Sequence, residues 1–134
     1  MGNASHDKSA DGLARLIRSL RYSAAGFRYA FAEVAVRQVT GAIAILVPVA
    51  AFMPVPRLEQ MLLVLPLMLV FFAEVLNSAI EATVDRVSEE PHPLARRAKD
   101  LASAAVVVTV LMAGFSWSVI AGPVVWRWLQ GATT

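Results

Sequence analysis

Charge is absent from residues 38–56, 60–73 and 101–126, and polar side chains return in clusters between these stretches. The first and third stretches meet the roughly 20-residue length that crosses a bilayer core, and the second meets it once extended through Glu74 to Ile80. Three transmembrane helices are predicted. Span one covers about Gln38 to Phe52 with a kink at Pro48, and Pro54 and Pro56 make a tight turn after it. Span two starts near Leu58 and ends by Pro91; it contains Pro66, which a membrane helix absorbs when a neighbour satisfies the freed carbonyl. Pro93 suits the first position of the third helix. Upstream, Leu13, Leu16, Ile17 and Leu20 recur at helical spacing, with Arg15, Arg18 and Arg21 clustered away from them. That pattern predicts an amphipathic helix in the membrane interface. Gly26 is expected to break it, with a second helix starting at Phe27 and running to Thr40. Residues 1–12 show no periodicity and are read as a flexible lead-in, leaving 13–134 as a single membrane-embedded domain. The expected fold class is an all-α membrane protein, with an N-terminal interfacial helix and three transmembrane helices.

Composition agrees: 57% of the 134 residues are hydrophobic and only 16% charged, too apolar a balance for an ordinary soluble domain. Nothing in the first 30 residues resembles a cleavable signal, so span one is expected to be retained. The absence of cysteine excludes disulfides, thiolate metal sites and cysteine nucleophiles. The net charge of +2 matters less than its distribution. Lys8, Arg15, Arg18, Arg21, Arg28 and Arg37 precede span one, and Arg86, Arg96, Arg97 and Lys99 separate spans two and three. The first turn holds only Arg57 and the C-terminus only Arg127, which puts the N-terminus inside and the C-terminus outside. Trp117, Trp126 and Trp128 are read as an interfacial belt.

The chemistry concentrates at the end of span two. Glu74, Asn77, Ser78, Glu81 and Asp85 share one helical face at i, i+3, i+4, i+7 and i+11. Charge at bilayer depth costs a few kcal/mol, roughly 2.5–3.5 for Asp near a helix centre, so such residues tend to face protein or water and a functional site is the default reading. The alternative, open above all for Asp85, is that the acids lie just outside the membrane on a solvated face. Glu74 and Glu81 stand roughly 10 Å apart along the axis and cannot easily grip one small ion together. Glu81 therefore needs a carboxylate from another segment to hold Mg²⁺, and Glu33, near the entry of span one, is the best placed. Glu33 and Arg37 also have the spacing of a plain ion pair. The deeper Glu74 suits a general base on a hydroxyl in the lipid. Arg96, Lys99, Asp100 and Ser103 form a second polar stripe at the start of span three, serving either as phosphate contacts or as anchoring charge with an Arg96–Asp100 pair. The N-terminal arginines have the same two readings, headgroup attraction or a phosphate contact. No phosphate-binding glycine loop of the soluble nucleotide-binding proteins is present, and His6 and His92 are the only histidines.

The run E-V-L-N-S-A-I-E-A-T-V-D-R-V, followed by H-P-L-A-R-R-A-K-D-L-A-S-A-A-V, resembles the signature of the prokaryotic diacylglycerol kinases, small trimeric membrane enzymes. The resemblance extends through R-L-I-R-S-L-R-Y-S-A-A-G and E-V-A-V-R-Q, covering about Arg15 to Ser118. It implies a homotrimer in the bacterial inner membrane that transfers the γ-phosphoryl group of MgATP to diacylglycerol, giving phosphatidic acid. It implies Glu74 as the catalytic base and Glu33 and Glu81 as ligands of the Mg²⁺ that bridges the ATP phosphates. Arg15, Tyr22, Asp85, His92, Lys99 and Asp100 fall at ATP contacts, and Ser23, Arg37, Gln38, Asn77 and Ser103 around the lipid substrate. Val39, Ala24-Ala25, Pro48 and Pro91 depart from the family pattern without touching the acids. The same resemblance accommodates an undecaprenol kinase. A non-enzymatic transporter or assembly protein is the rival of another class, and Glu33, Lys99 and Asp100 are residues that a simple cation carrier would not need. No nucleic-acid partner is expected.

Overall fold

The computed structural model describes residues 4–87, 90 and 92–131, with the side chains of 4–11 and 13 left aside. Four helices follow in order: α1 (Ala4–Ala30), α2 (Val34–Phe52), α3 (Arg57–Val87) and α4 (Pro93–Gly131). They fall into two units, the first ending at Glu33 and the second beginning at Val34. Of the lead-in expected over 1–12, only residues 1–3 lie outside what is described, since α1 already begins at Ala4; most of the loop containing Pro91 also lies outside.

In the first unit the helix break is not where glycine suggests. α1 runs through Gly26 and closes at 31–33, where Ala32 N–H donates to Tyr29 O and Glu33 N–H to Ala30 O, each at 3.0 Å. These three-residue bonds tighten the end of the helix and satisfy carbonyls that have no continuing partner. A single helical glycine costs only about 0.5–1 kcal/mol relative to alanine, too little to stop a long helix. Glu33 is consequently in the connection, and the expected helix from Phe27 to Thr40 does not form as one piece.

In the second unit α3 packs against both α2 and α4. Leu67, Val70 and Ala113 form the packed centre, with Val39, Ile43, Leu46, Val47 and Trp117 around it. Much of the remaining apolar surface, including Ile45, Leu65, Phe72 and Leu111, is exposed. Helices solvated by hydrocarbon gain nothing from hiding such side chains, and associate instead through close packing and hydrogen bonds. Ala102, Ala113 and Ala121 supply the small residues that allow close packing of α4. All three helices of this unit are long and apolar enough to cross a membrane. α3, with 31 residues, rises roughly 46 Å, well beyond a core of about 30 Å, so part of it must stand outside the hydrocarbon.

Pro66 lies inside α3 and removes the N–H that would bond Leu62 O. The structure supplies the substitute from α4: Ser116 Oγ donates to Leu62 O at 2.6 Å, and Trp117 Nε1 donates to Leu63 O at 3.1 Å. The expected compensation is thus present, and it corrects the reading of Trp117. That indole is half-buried against the core, whereas Trp126 and Trp128 are exposed. At the α2–α3 turn, Gln60 Nε2 donates to Ala51 O and Met53 O, both at 3.1 Å, capping the carbonyls that end α2.

Candidate functional site

The polar stripe of α3 is graded along the helix. Glu74 is buried, 7% exposed, Asn77, Ser78 and Glu81 are half-buried, and Asp85 is exposed. The deepest acid is thus enclosed, while the last one reaches the open end. Asn77 Nδ2 donates to Glu81 Oε1 at 3.1 Å, which fixes the carboxylate one turn away. The Asn77 Oδ1 atom is buried without a hydrogen-bond partner among the described residues. A buried acceptor is expected to be satisfied, so this oxygen awaits a donor or a cation.

α4 brings its own stripe to the same end. Lys99 Nζ donates to Asp85 Oδ1 at 2.5 Å, an ion pair that ties α3 to α4. Arg96 and Asp100 approach within 3.8 Å on the exposed face of α4, the i,i+4 pair anticipated from spacing. Exposed pairs of this kind contribute about 0–1 kcal/mol, so neither accounts for the fold. His92 caps α4: its Nδ1 accepts the Leu94 N–H at 3.2 Å, with Pro93 at the first helical position.

The sequence-predicted residues therefore separate into groups. Asn77 and Glu81 are joined directly, and Asp85 is joined to Lys99. Glu74 sits on the same face, one turn before Asn77. Ser103 is exposed on α4 one turn beyond Lys99. Arg37 and Gln38 are exposed on the first turns of α2. Arg15, Tyr22 and Ser23 are exposed on α1, and Glu33 is exposed at its end, all four in the other unit. The cross-helix partner of Asp85 was missed by sequence reasoning, although both residues had been placed on polar stripes. Their opposite charge was the available signal.

Among the described residues no group of three or more His, Asp or Glu converges as a ready metal cage. The donor set nonetheless suits a hard cation that carries its own ligands. Glu81 offers a held carboxylate, and the orphaned Asn77 Oδ1 is a second oxygen beside it. Mg²⁺ takes one or two protein carboxylates, with waters and substrate phosphates filling its octahedron.

Comparison with known proteins gives one consistent result. The family model for prokaryotic diacylglycerol kinase matches residues 21–121. A diacylglycerol kinase of Pseudomonas aeruginosa is 45% identical over 114 residues, covering 84% of this chain and 93% of the relative. One from Escherichia coli K12 is 41% identical over 110 residues, covering 81% and 90%. One from Helicobacter pylori J99 is 38% identical over 109 residues, covering 81% and 85%.

Proposed function

Because the chain belongs to the prokaryotic diacylglycerol kinase family, we propose that it phosphorylates diacylglycerol from MgATP with the acids of α3 as its machinery. The observation that carries this reading is the buried Glu74 on the same helical face as the Asn77–Glu81 pair, with the Lys99–Asp85 pair at its open end. A buried carboxylate beside hydrocarbon can meet a lipid hydroxyl, and a cationic end can meet a polyphosphate.

On this proposal Glu74 accepts the proton of the diacylglycerol hydroxyl as that oxygen bonds to the γ-phosphorus. The bond from the γ-phosphorus to its bridging oxygen breaks, and ADP leaves with the electron pair. Glu81, held by Asn77, and Glu33 are the carboxylates that would hold Mg²⁺, which would supply neutralisation of the phosphate charge. Lys99 gives a point charge to the phosphates, with Arg15, Tyr22, Asp85, His92 and Asp100 contributing further nucleotide contacts. Ser23, Arg37, Gln38, Asn77 and Ser103 orient the lipid head. The working unit is a homotrimer, because three spans are too few to enclose such a site. α1 rests in the membrane interface through Leu16, Ile17 and Leu20. The membrane is the bacterial inner membrane, with the N-terminus cytoplasmic and the C-terminus periplasmic, following the basic residues.

The test is direct. Purified protein is given MgATP with diacylglycerol or undecaprenol in separate mixed micelles, and lipid phosphate is measured. Phosphatidic acid should form. Exclusive turnover of undecaprenol would redirect the substrate assignment, and turnover of neither lipid would refute the proposal.

A further inference from the structure

At the end of α2–α4 opposite the acid stripe, α3 and α4 leave an open groove of about 490 Å³, within the roughly 300–1,000 Å³ range of ligand pockets. Its walls include Leu62, Phe115, Val119 and Ile120, and its mouth carries Glu59 and Arg127. From Phe115 to Arg127 the α4 axis rises roughly 18 Å, slightly more than half of a bilayer core about 30 Å thick. The groove is thus long on α4, while on the α3 side it runs from Val55 to Leu62. Arg127 lies between the exposed Trp126 and Trp128, residues that settle at headgroup level, so Arg127 and the lipid headgroups share a depth.

The two charges are opposite, and the structure does not pair them with each other. Arg127 uses Nε on Pro123 O at 3.3 Å, which leaves its terminal amino groups to other acceptors. The Glu59 carboxylate makes no hydrogen bond or ion pair among the described residues. A carboxylate and a guanidinium lining one apolar groove complement an ammonium and a phosphate carried above an acyl chain. We infer that this groove binds a zwitterionic phospholipid of the phosphatidylethanolamine type, phosphate on Arg127 and ammonium on Glu59, as a site separate from the acids of α3.

The experiment uses the full-length protein in bilayers of equal parts phosphatidylethanolamine and phosphatidylglycerol, released into mild detergent, with retained lipid counted by native mass spectrometry. Wild type should retain phosphatidylethanolamine over phosphatidylglycerol by about fivefold, the preference that one exposed ion pair can supply. Glu59→Gln should bring the ratio to parity while keeping total retention. Arg127→Gln should lower retention of both lipids, and Val119→Trp should empty the groove. Glu59→Gln keeps the size of a half-buried side chain that makes no hydrogen bond among the described residues, and Val119→Trp changes an exposed position, so unaltered circular dichroism and melting are expected, and Glu59→Gln alone carries the test should another variant misfold. Kinase turnover is measured in parallel and should persist, so failure of the lipid site is distinguishable from failure of the catalytic assignment. Equal retention by wild type, or a ratio indifferent to Glu59→Gln, would overturn the inference. So would a change of subunit assembly with lipid retention intact, which would make the groove a face between copies.

Discussion

Replacing Ser116 by alanine deletes the donor that α4 lends to Leu62 O, whose own helical donor is already missing because residue 66 is proline. The hydrogen bond is short, 2.6 Å, and its acceptor lies roughly 7.5 Å along the axis from Arg57, near the edge of the hydrocarbon. Interhelical hydrogen bonds in membrane proteins average about 0.6 kcal/mol and reach about 1.7. The carbonyl has no helical bond to fall back on, which argues for the upper half, but nearby interfacial water argues against the maximum. About 1 kcal/mol is expected for Ser116→Ala. The decisive measurement is a double-mutant cycle with Pro66→Ala, which restores an N–H four residues after Leu62. In that background Ser116→Ala should cost almost nothing, giving a coupling of roughly 0.5–1 kcal/mol. Reversible unfolding in mixed micelles titrated with sodium dodecyl sulfate can read the four variants. If Ser116→Ala costs the same within about 0.3 kcal/mol in both backgrounds, the serine does not replace the proline's missing donor, and the argument fails.

Three further outcomes test the catalytic proposal and a fourth the topology. Glu74→Gln should lower kcat by roughly a hundred- to ten-thousandfold while leaving MgATP affinity and assembly intact, checked by turnover, nucleotide titration and cross-linking. Glu33→Gln and Glu81→Gln should each abolish activity at ordinary Mg²⁺; near-normal turnover in either would remove that residue from the metal site. Mixing Glu74→Gln chains with Glu33→Gln chains should restore some activity if one site draws on two copies, and silence in demonstrably mixed trimers would assign both acids to one chain. Reporter fusions should place the N-terminus inside and the C-terminus outside, and both ends on one side would defeat the three-span topology.

Periodicity alone makes the polar face of the candidate site legible. A face repeating at 3 and 4 residues through Glu74, Asn77, Ser78, Glu81 and Asp85 can be read from spacing, and its burial gradient follows from running outward along a long helix. Local rules also anticipated that Pro66 would need an outside donor and that Pro93 would open α4. They could not name Ser116, because the register of α4 against α3 depends on packing between residues some fifty positions apart in sequence. The same ignorance hid the Lys99 partner of Asp85 and sent Trp117 to the interface, where an indole with no known acceptor belongs by default. The break after Ala30 was missed for another reason. No proline or glycine marks residues 31–33, whereas Gly26, which does stand out, is carried inside α1.

The unequal helix lengths make α2 the gauge of the membrane around this protein. Its 19 residues rise roughly 28 Å, whereas α3 and α4 have length in reserve. A long helix meets a thicker or thinner bilayer by tilting, but a helix that only just crosses must stretch or pinch the lipid around it. α2 cannot shift alone, since Gln60 fastens its last carbonyls to α3 and its apolar flank meets Leu67 and Val70. Hydrophobic mismatch felt by the shortest helix is thereby transmitted to α3, and the depth of Glu74 becomes a function of the acyl-chain length of the host membrane.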